Sequence, residues 1–126
     1  MAAIHKFKIV SDFIKAGAIS PELLRELFRT VTESLAYEVA VASGVTATSL
    51  PGFGSSAGQI TTIQTFIFIT DTTVTLNWNG ANISMVVAAG DRFAVFVAYG
   101  VSTTTVPTIT NAGSTTATIT VIAGGL

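Results

Sequence analysis

Formal charge is distributed very unevenly along this chain of 126 residues. Ten of its thirteen charged side chains, five acidic and five basic, lie in residues 1–38. Residues 39–126 carry only three, which are Asp71, Asp91 and Arg92. An ordinary soluble domain is about a quarter charged, and charge on exposed strands helps to prevent β-proteins from pairing edge to edge. We therefore expect the poorly charged body to work inside an assembly, where neighbours cover much of its surface.

The composition narrows the classes of protein to which the chain can belong. The length suits one domain, and an apolar content of 49% argues against disorder. A net charge of −1 gives no electrostatic signal for nucleic acid or for an anionic membrane. There is no cysteine, which excludes disulfides and thiolate metal sites. No run approaches the roughly 18 apolar residues of a spanning helix, and no signal peptide is evident. We expect a protein made in a cytoplasm, with neither nucleic acid nor membrane as a partner.

Alternation with a period of two dominates the body and predicts an antiparallel β-fold. Residues 72–78 place Val74, Leu76 and Trp78 on one face, and Asn79-Gly80 then gives a strong hairpin signal. Residues 59–70 are apolar on both faces, which is typical of a central strand. Further strands are predicted at 37–41, 83–88, 93–99, 106–110 and 115–122. Seven or so short strands separated by turns indicate a β-sandwich or a small barrel.

The N-terminal third is predicted to be an arm that packs on this body. We place the arm at residues 1–43 and the body at residues 44–126, within a single domain. Residues 4–10 predict a short strand with apolar side chains on one face and lysines on the other.

A short amphipathic helix is predicted within the arm, over residues 21–35. Ser20 is a suitable cap and Pro21 suits the first helical position. The apolar stripe has helical spacing and consists of Leu23, Leu24, Leu27, Phe28, Val31 and Leu35. We expect the stripe to dock on the protein's own sheet, with docking into a neighbouring subunit as the alternative.

No group of residues in the sequence looks catalytic. His5 is the only histidine, and it has no second ligand or orienting carboxylate nearby in sequence. Asp71 and Asp91 are candidates for an acid/base pair, but both lie in turn contexts where aspartate bonds the backbone. Serine and threonine lack a base other than His5, which argues against a Ser-His-Asp arrangement. We expect no enzymatic activity, no metal and no cofactor.

Two other features suggest binding to a carbohydrate or to ice. Trp78 and Tyr99 are candidates for a sugar-stacking platform, although both fall on apolar strand faces and are expected in the core. Alternating threonines in residues 103–120 resemble ice-binding faces, but the constant repeat length that such faces need is absent.

Two segments are the candidate assembly contacts. The first is the N-terminal arm, and the second is the loop at residues 51–56, where an aromatic side chain stands between glycines. The candidate residues are Ile4, Phe7, Ile9, Phe13, Pro51 and Phe53. The alternative for Phe53 is packing on the protein's own core.

Several runs of the body share their strands and turns with one known group of proteins. The runs are Thr70–Leu76, the Asn79-Gly80 hairpin, Ala88–Asp91 before a strand, and Ile109–Val121, which looks like a closing β-hairpin. In these runs the chain resembles small virion proteins of tailed bacteriophages, over residues 63–123. The resemblance implies a jelly-roll-like antiparallel β-sandwich that forms homo-oligomers, often trimers, on a capsid or tail surface.

The function that this resemblance implies is structural. We expect a head decoration (cement) protein that stabilises the capsid shell, located in the virion, with the trimer as the expected oligomer. Its expected partners are copies of itself and the major capsid protein or another virion protein. A tail, collar or fibre-base component is the alternative, and a carbohydrate- or ice-binding module is the alternative from another class.

Overall fold

The computed structural model describes residues 3–11, 14–15, 18–19, 23–102 and 105–126. Within these ranges all regular structure is β, and every pair of named strands is antiparallel. In chain order the strands are β1 (Ala3–Ser11), β2 (Ile14–Lys15), β3 (Ala18–Ile19), β4 (Leu23–Val31), β5 (Glu33–Val41), β6 (Thr48–Ser49), β7 (Ile63–Thr70), β8 (Val74–Trp78), β9 (Ala81–Met85), β10 (Ala94–Tyr99), β11 (Thr108–Thr110) and β12 (Ala117–Gly125). The prediction of a mainly β antiparallel protein is confirmed.

Two four-stranded sheets form the body. Sheet I has the strand order β10-β7-β12-β5, and sheet II has the order β6-β11-β8-β9. β7 lies between two other strands of sheet I, which confirms the central strand predicted over residues 59–70. β1 pairs with β4, and β2 with β3, in two further sheets of two strands each.

The hydrophobic core lies between sheet I and sheet II. The ring centroids of Phe66 in β7 and Trp78 in β8 are 4.5 Å apart, so the inner faces of the two sheets are in direct contact. The buried cluster draws on both sheets, with Phe68, Ile119 and Val121 from sheet I. This arrangement is compatible with a sandwich.

The hairpin between β8 and β9 follows directly from its turn residues. Asn79 and Gly80 both have positive φ, 51° and 81°, as the tightest right-twisted hairpin turn requires. The register places Val74 opposite Met85 and Trp78 opposite Ala81. The hairpin prediction is confirmed.

The helix predicted over residues 21–35 is wrong. The structure has β4 and β5 over residues 23–35, with a bend at Thr32, and residues 20–22 lie outside the described residues. β4 pairs with β1 over nine residue pairs, and β5 pairs with β12 over another nine. Helix propensity is a weak preference, and two long ladders of backbone hydrogen bonds outweigh it.

The closing hairpin expected over residues 109–121 is also wrong. β11 belongs to sheet II and β12 to sheet I, so their connection crosses from one sheet to the other. Asn111 anchors this crossing from a fully buried position. Its Nδ2 donates to the carbonyl oxygens of Val41, at 3.0 Å, and Thr115, at 2.8 Å. Its Oδ1 accepts a hydrogen bond from the N–H of Gly113.

The predicted strand at residues 4–10 is confirmed as β1. The division into an arm at residues 1–43 and a body at residues 44–126 stays a prediction. β5 is an edge strand of sheet I. Before it, β1 and β4 form a separate two-stranded ladder. It joins the body at Val31, which is fully buried, and at Thr32, whose N–H donates to the Gly125 carbonyl oxygen at 2.9 Å.

Candidate interaction surface

The outward side of sheet I carries an apolar surface, which we call the outer face. Its first row runs straight across the sheet through Val97, Ile67, Ile122 and Ala36, which are register partners on successive strands. A parallel second row consists of Val95, Ile69, Thr120 and Glu38. These side chains alternate along each strand with those of the core.

Large apolar side chains on the outer face remain open to solvent. Val95 is 55% exposed, Val97 47% and Ile122 40%, while Ile67 and Ile69 are half-buried. The next exposed apolar residue is Phe93, just before β10. A contiguous apolar patch on a protein surface usually marks an interaction site.

Charge is sparse on this surface. Glu38 is the only ionisable side chain in the two rows, and it stands at the end of its row on the edge strand β5. The remaining polar group of the rows is the hydroxyl of Thr120. A partner that binds the outer face therefore needs few charged side chains at the contact.

One end of the outer face is covered by the base of the β1–β4 ladder. His5 Nδ1 and Thr65 Oγ1 share a hydrogen bond of 2.7 Å. Arg29, which is the register partner of His5, places its guanidinium 5.4 Å from the centre of the Tyr99 ring. Gly124 lies directly beneath the His5 ring, where a Cβ atom would collide with it. The described residues of the arm thus cover the Tyr99–Thr65–Gly124 row, while Val95, Val97 and Ile122 in the two apolar rows stay exposed.

The structure places the candidate assembly contacts in different environments. Ile4 and Pro51 are exposed. Phe53 is buried, with its ring centroid 6.0 Å from that of Phe66, which is the core packing given as its alternative. Phe7 and Ile9 lie in β1, but their side chains fall outside what the structure describes, as does the whole of Phe13. The role of the six residues in assembly stays a prediction.

Sequence reasoning missed the outer face. Val95 and Val97 lie in the strand predicted at residues 93–99, but nothing in the sequence indicates which face of that strand is covered. The one available signal was β7, whose apolar residues on both sides require a second layer or a partner beyond the core.

Asp71 has a structural role at the end of a strand. Asp71 Oδ1 accepts hydrogen bonds from the N–H of Thr118, at 2.8 Å, and from the hydroxyl of Thr72, so it fixes the end of β7 to β12. The N–H of Asp91 donates to the Ala88 carbonyl oxygen in a turn. Among the described residues, no group of three or more His, Cys, Asp or Glu side chains is placed to hold a metal ion.

The aromatic residues considered for sugar stacking do not form a platform. Trp78 packs in the core, as expected, with Phe66 and Phe96 around it. Tyr99 is half-buried on the other side of sheet I, beneath Arg29, and does not belong to the core cluster. The two rings therefore lie on opposite faces and present no common surface.

A groove of about 340 Å³ opens between β5 and β6. Val39, Val41, Val45 and Leu50 supply much of its apolar lining. Beside it, the Tyr37 hydroxyl donates to the Pro51 carbonyl oxygen at 2.9 Å, and burial raises the pKa of this tyrosine far above its usual range. The lining includes no ionisable side chain, so the groove does not suit acid/base chemistry.

Comparison of the chain with models of protein families, with curated proteins and with solved structures gives no match. In the part of the chain that the structure describes, no helix is long and apolar enough to cross a membrane.

Proposed function

We propose that this chain is a non-enzymatic structural protein of a tailed-bacteriophage virion, acting as a head decoration protein that stabilises the capsid shell. The fold proposed with it is a jelly-roll-like antiparallel β-sandwich. The observation that carries the proposal is the outer face, an open apolar surface on a body with three charges in residues 39–126. The resemblance of residues 63–123 to small virion proteins supports the phage setting.

The proposed mechanism is mechanical. Each copy covers its outer face against capsid protein or another copy, which removes Val95, Val97 and Ile122 from water at about 25 cal/mol per Å² of apolar area. A specific contact of this kind buries about 1,600 Å² in total. Because copies repeat over the shell, many modest contacts act together and the shell gains stability by mass action.

The proposal includes homo-oligomers, with the trimer as the expected state, and the major capsid protein or another virion protein as the second partner. A tail, collar or fibre-base position is the alternative within the same class. The buried position of Trp78 favours neither sugar stacking nor any other use of this ring at the surface.

Binding to empty capsid shells tests the proposal. Purified wild-type chain, Ile122→Thr and the control Val86→Thr would be mixed with undecorated shells of the phage that encodes the chain, and pelleted. Both substitutions replace an exposed β-branched side chain by threonine, but Val86 lies outside the outer face. We expect wild type and Val86→Thr to pellet with shells and Ile122→Thr to bind more weakly. A wild-type chain that stays in the supernatant would contradict the proposal.

A further inference from the structure

β10 is an open edge of sheet I. Among the described strands it pairs only with β7. The N–H of Gly100 donates to the Gln64 carbonyl oxygen at 2.7 Å, one step beyond the last register pair of the two strands. Hydrogen-bonded and non-hydrogen-bonded pairs alternate along an antiparallel ladder. The Gly100 bond therefore fixes which residues of β10 bond to β7.

The alternation leaves backbone groups directed away from the sheet. Ala98 and Phe96 lie two and four residues before Gly100, so their N–H and C=O groups also face β7. The N–H and C=O groups of Val95 and Val97 consequently point to the open edge. Such an edge accepts an extended strand of another chain.

The sequence of this edge is nearly symmetrical about its centre. From Phe93 to Tyr99 it reads Phe-Ala-Val-Phe-Val-Ala-Tyr, with Phe96 in the middle. An antiparallel copy centred on Phe96 places alanine opposite alanine, valine opposite valine and phenylalanine opposite phenylalanine. Only the outermost pair, Phe93 with Tyr99, differs, and it joins two aromatic rings. Cross-strand pairs between apolar residues of matching size stabilise a sheet.

We propose that two copies of this chain pair antiparallel along β10 about a two-fold axis at Phe96. Val95 then lies opposite Val97 of the second copy, in hydrogen-bonded pairs that use the backbone groups left open by β7. The two copies of sheet I become one sheet of eight strands. A two-fold contact of this kind is closed, because the β10 edges of both copies are paired once it forms.

The occupant is a second copy and not an unrelated strand, because the edge is self-complementary and carries none of the usual protection. β10 has no charged residue, no proline and no bulge. The opposite edge differs, since β5 carries Glu33 and Glu38, and self-pairing there brings like charges close together. Edge chemistry thus favours β10 as the contact between copies.

This inference rests on the self-association in the proposed function and adds to it a two-fold contact at β10. Pairing at β10 brings the two outer faces side by side, so that Val97 and Ile67 of one copy continue into Val95 and Ile69 of the other. The combined apolar surface is twice as wide. A trimer on the shell would use a different surface for its three-fold contacts.

Sedimentation velocity on two charge variants tests the contact. Val97→Lys puts a charge at the centre of the edge. The control Val86→Lys puts one on a valine outside β10 that is 67% exposed, against 47% for Val97. We expect Val97→Lys to raise the dissociation constant of the dimer by about tenfold or more, since an edge charge opposes strand pairing. Val86→Lys should leave it unchanged. A wild-type dimer that Val97→Lys does not weaken would overturn the proposal.

A cysteine at the axis gives a second, independent measurement. The chain has no native cysteine, and Phe96 would face its own counterpart in a non-hydrogen-bonded pair. The Cα separation of such a pair, about 4.5 Å, falls within the range of a disulfide. We expect Phe96→Cys to cross-link into dimers under mild oxidation, and the control Val86→Cys to remain uncross-linked. Because Phe96 packs against Phe66 and Trp78, circular dichroism is used to select conditions in which Phe96→Cys is folded. Equal cross-linking of both folded variants, or of neither, would overturn the two-fold axis.

The two proposals fail separately. A chain that dimerises through β10 but ignores empty shells leaves the edge contact standing and contradicts the virion function. A chain that decorates shells, while Val97→Lys has no effect and Phe96→Cys does not cross-link, supports the virion function and overturns the edge contact.

Discussion

The inner and outer faces of sheet I are built from the same four strands and differ in what covers them. On the inner face, Phe66, Phe68 and Val121 are fully buried against sheet II. On the outer face, Ile67, Ile69 and Ile122 stand in the same strands, one residue away, where Ile67 and Ile69 are half-buried and Ile122 is exposed. These strands therefore form a sheet with two apolar faces, and sheet II of the same chain buries only one of them.

The largest expected effect lies on the inner face. Phe66 touches Trp78, Phe53 and Phe96, so Phe66→Ala leaves a cavity at the centre of the core. We expect the free energy of unfolding to fall by about 3–5 kcal/mol, measured by urea denaturation. The matched outer-face variant Ile67→Ala should lose far less. Equal losses would mean that the two faces are equally packed.

The next effect concerns the crossing between the sheets. Asn111→Ala removes the amide that holds Val41 and Thr115 and leaves their carbonyl groups without that donor. We expect a loss of about 1–3 kcal/mol in the free energy of unfolding. Asn82→Ala is the control, because its side chain is exposed and bonds only Asn77 among the contacts described. A loss for Asn82→Ala as large as for Asn111→Ala would contradict the anchoring role.

Parts of this fold can be predicted from the sequence alone, and other parts cannot. The β8–β9 hairpin was predictable because Asn79-Gly80 determines a turn locally. β7 was predictable as a central strand from its two apolar sides. The β4 strand and the crossing at Asn111 were not, because both depend on partners distant in sequence, β1 and β5, which a periodic pattern does not identify.

The outer face could not be predicted from the sequence for a related reason. Its first row joins Val97, Ile67, Ile122 and Ala36, whose positions in sequence become neighbours only through the register. The alternation of apolar residues in the sequence shows that a strand has an apolar side. The pairing register of the strands decides which of these sides combine into one surface.

A smaller effect is expected at Tyr37, on the inward side of the edge strand β5. Its raised pKa means that the fold favours the neutral phenol. Stability from this group is therefore complete below the usual tyrosine pKa of about 10, and is lost as the pH rises above it, because only the unfolded chain ionises readily.

Tyr37→Phe tests this assignment. It removes the hydrogen bond to Pro51, at an expected cost of about 0.5–1.5 kcal/mol at neutral pH. Urea denaturation above pH 10 should show a smaller decline of stability with pH for Tyr37→Phe than for wild type. An identical decline in both proteins would show that Tyr37 is not the responsible group.

The smallest effect on folding is expected on the outer face. Val97→Thr keeps a β-branched side chain at a half-exposed strand position, so the free energy of unfolding of the isolated chain should change by less than about 0.5 kcal/mol. Its self-association should weaken all the same. A large loss of folding stability for Val97→Thr would mean that this face is part of the core and would erase the contrast between the faces.

Sedimentation velocity of the purified wild-type chain over a wide range of concentration is the most direct test of the central claim, that other copies or a shell cover the open side of sheet I. We predict species larger than 13.0 kDa whose share grows with concentration. A single 13.0 kDa species at every concentration, which also fails to associate with shells, would contradict the account.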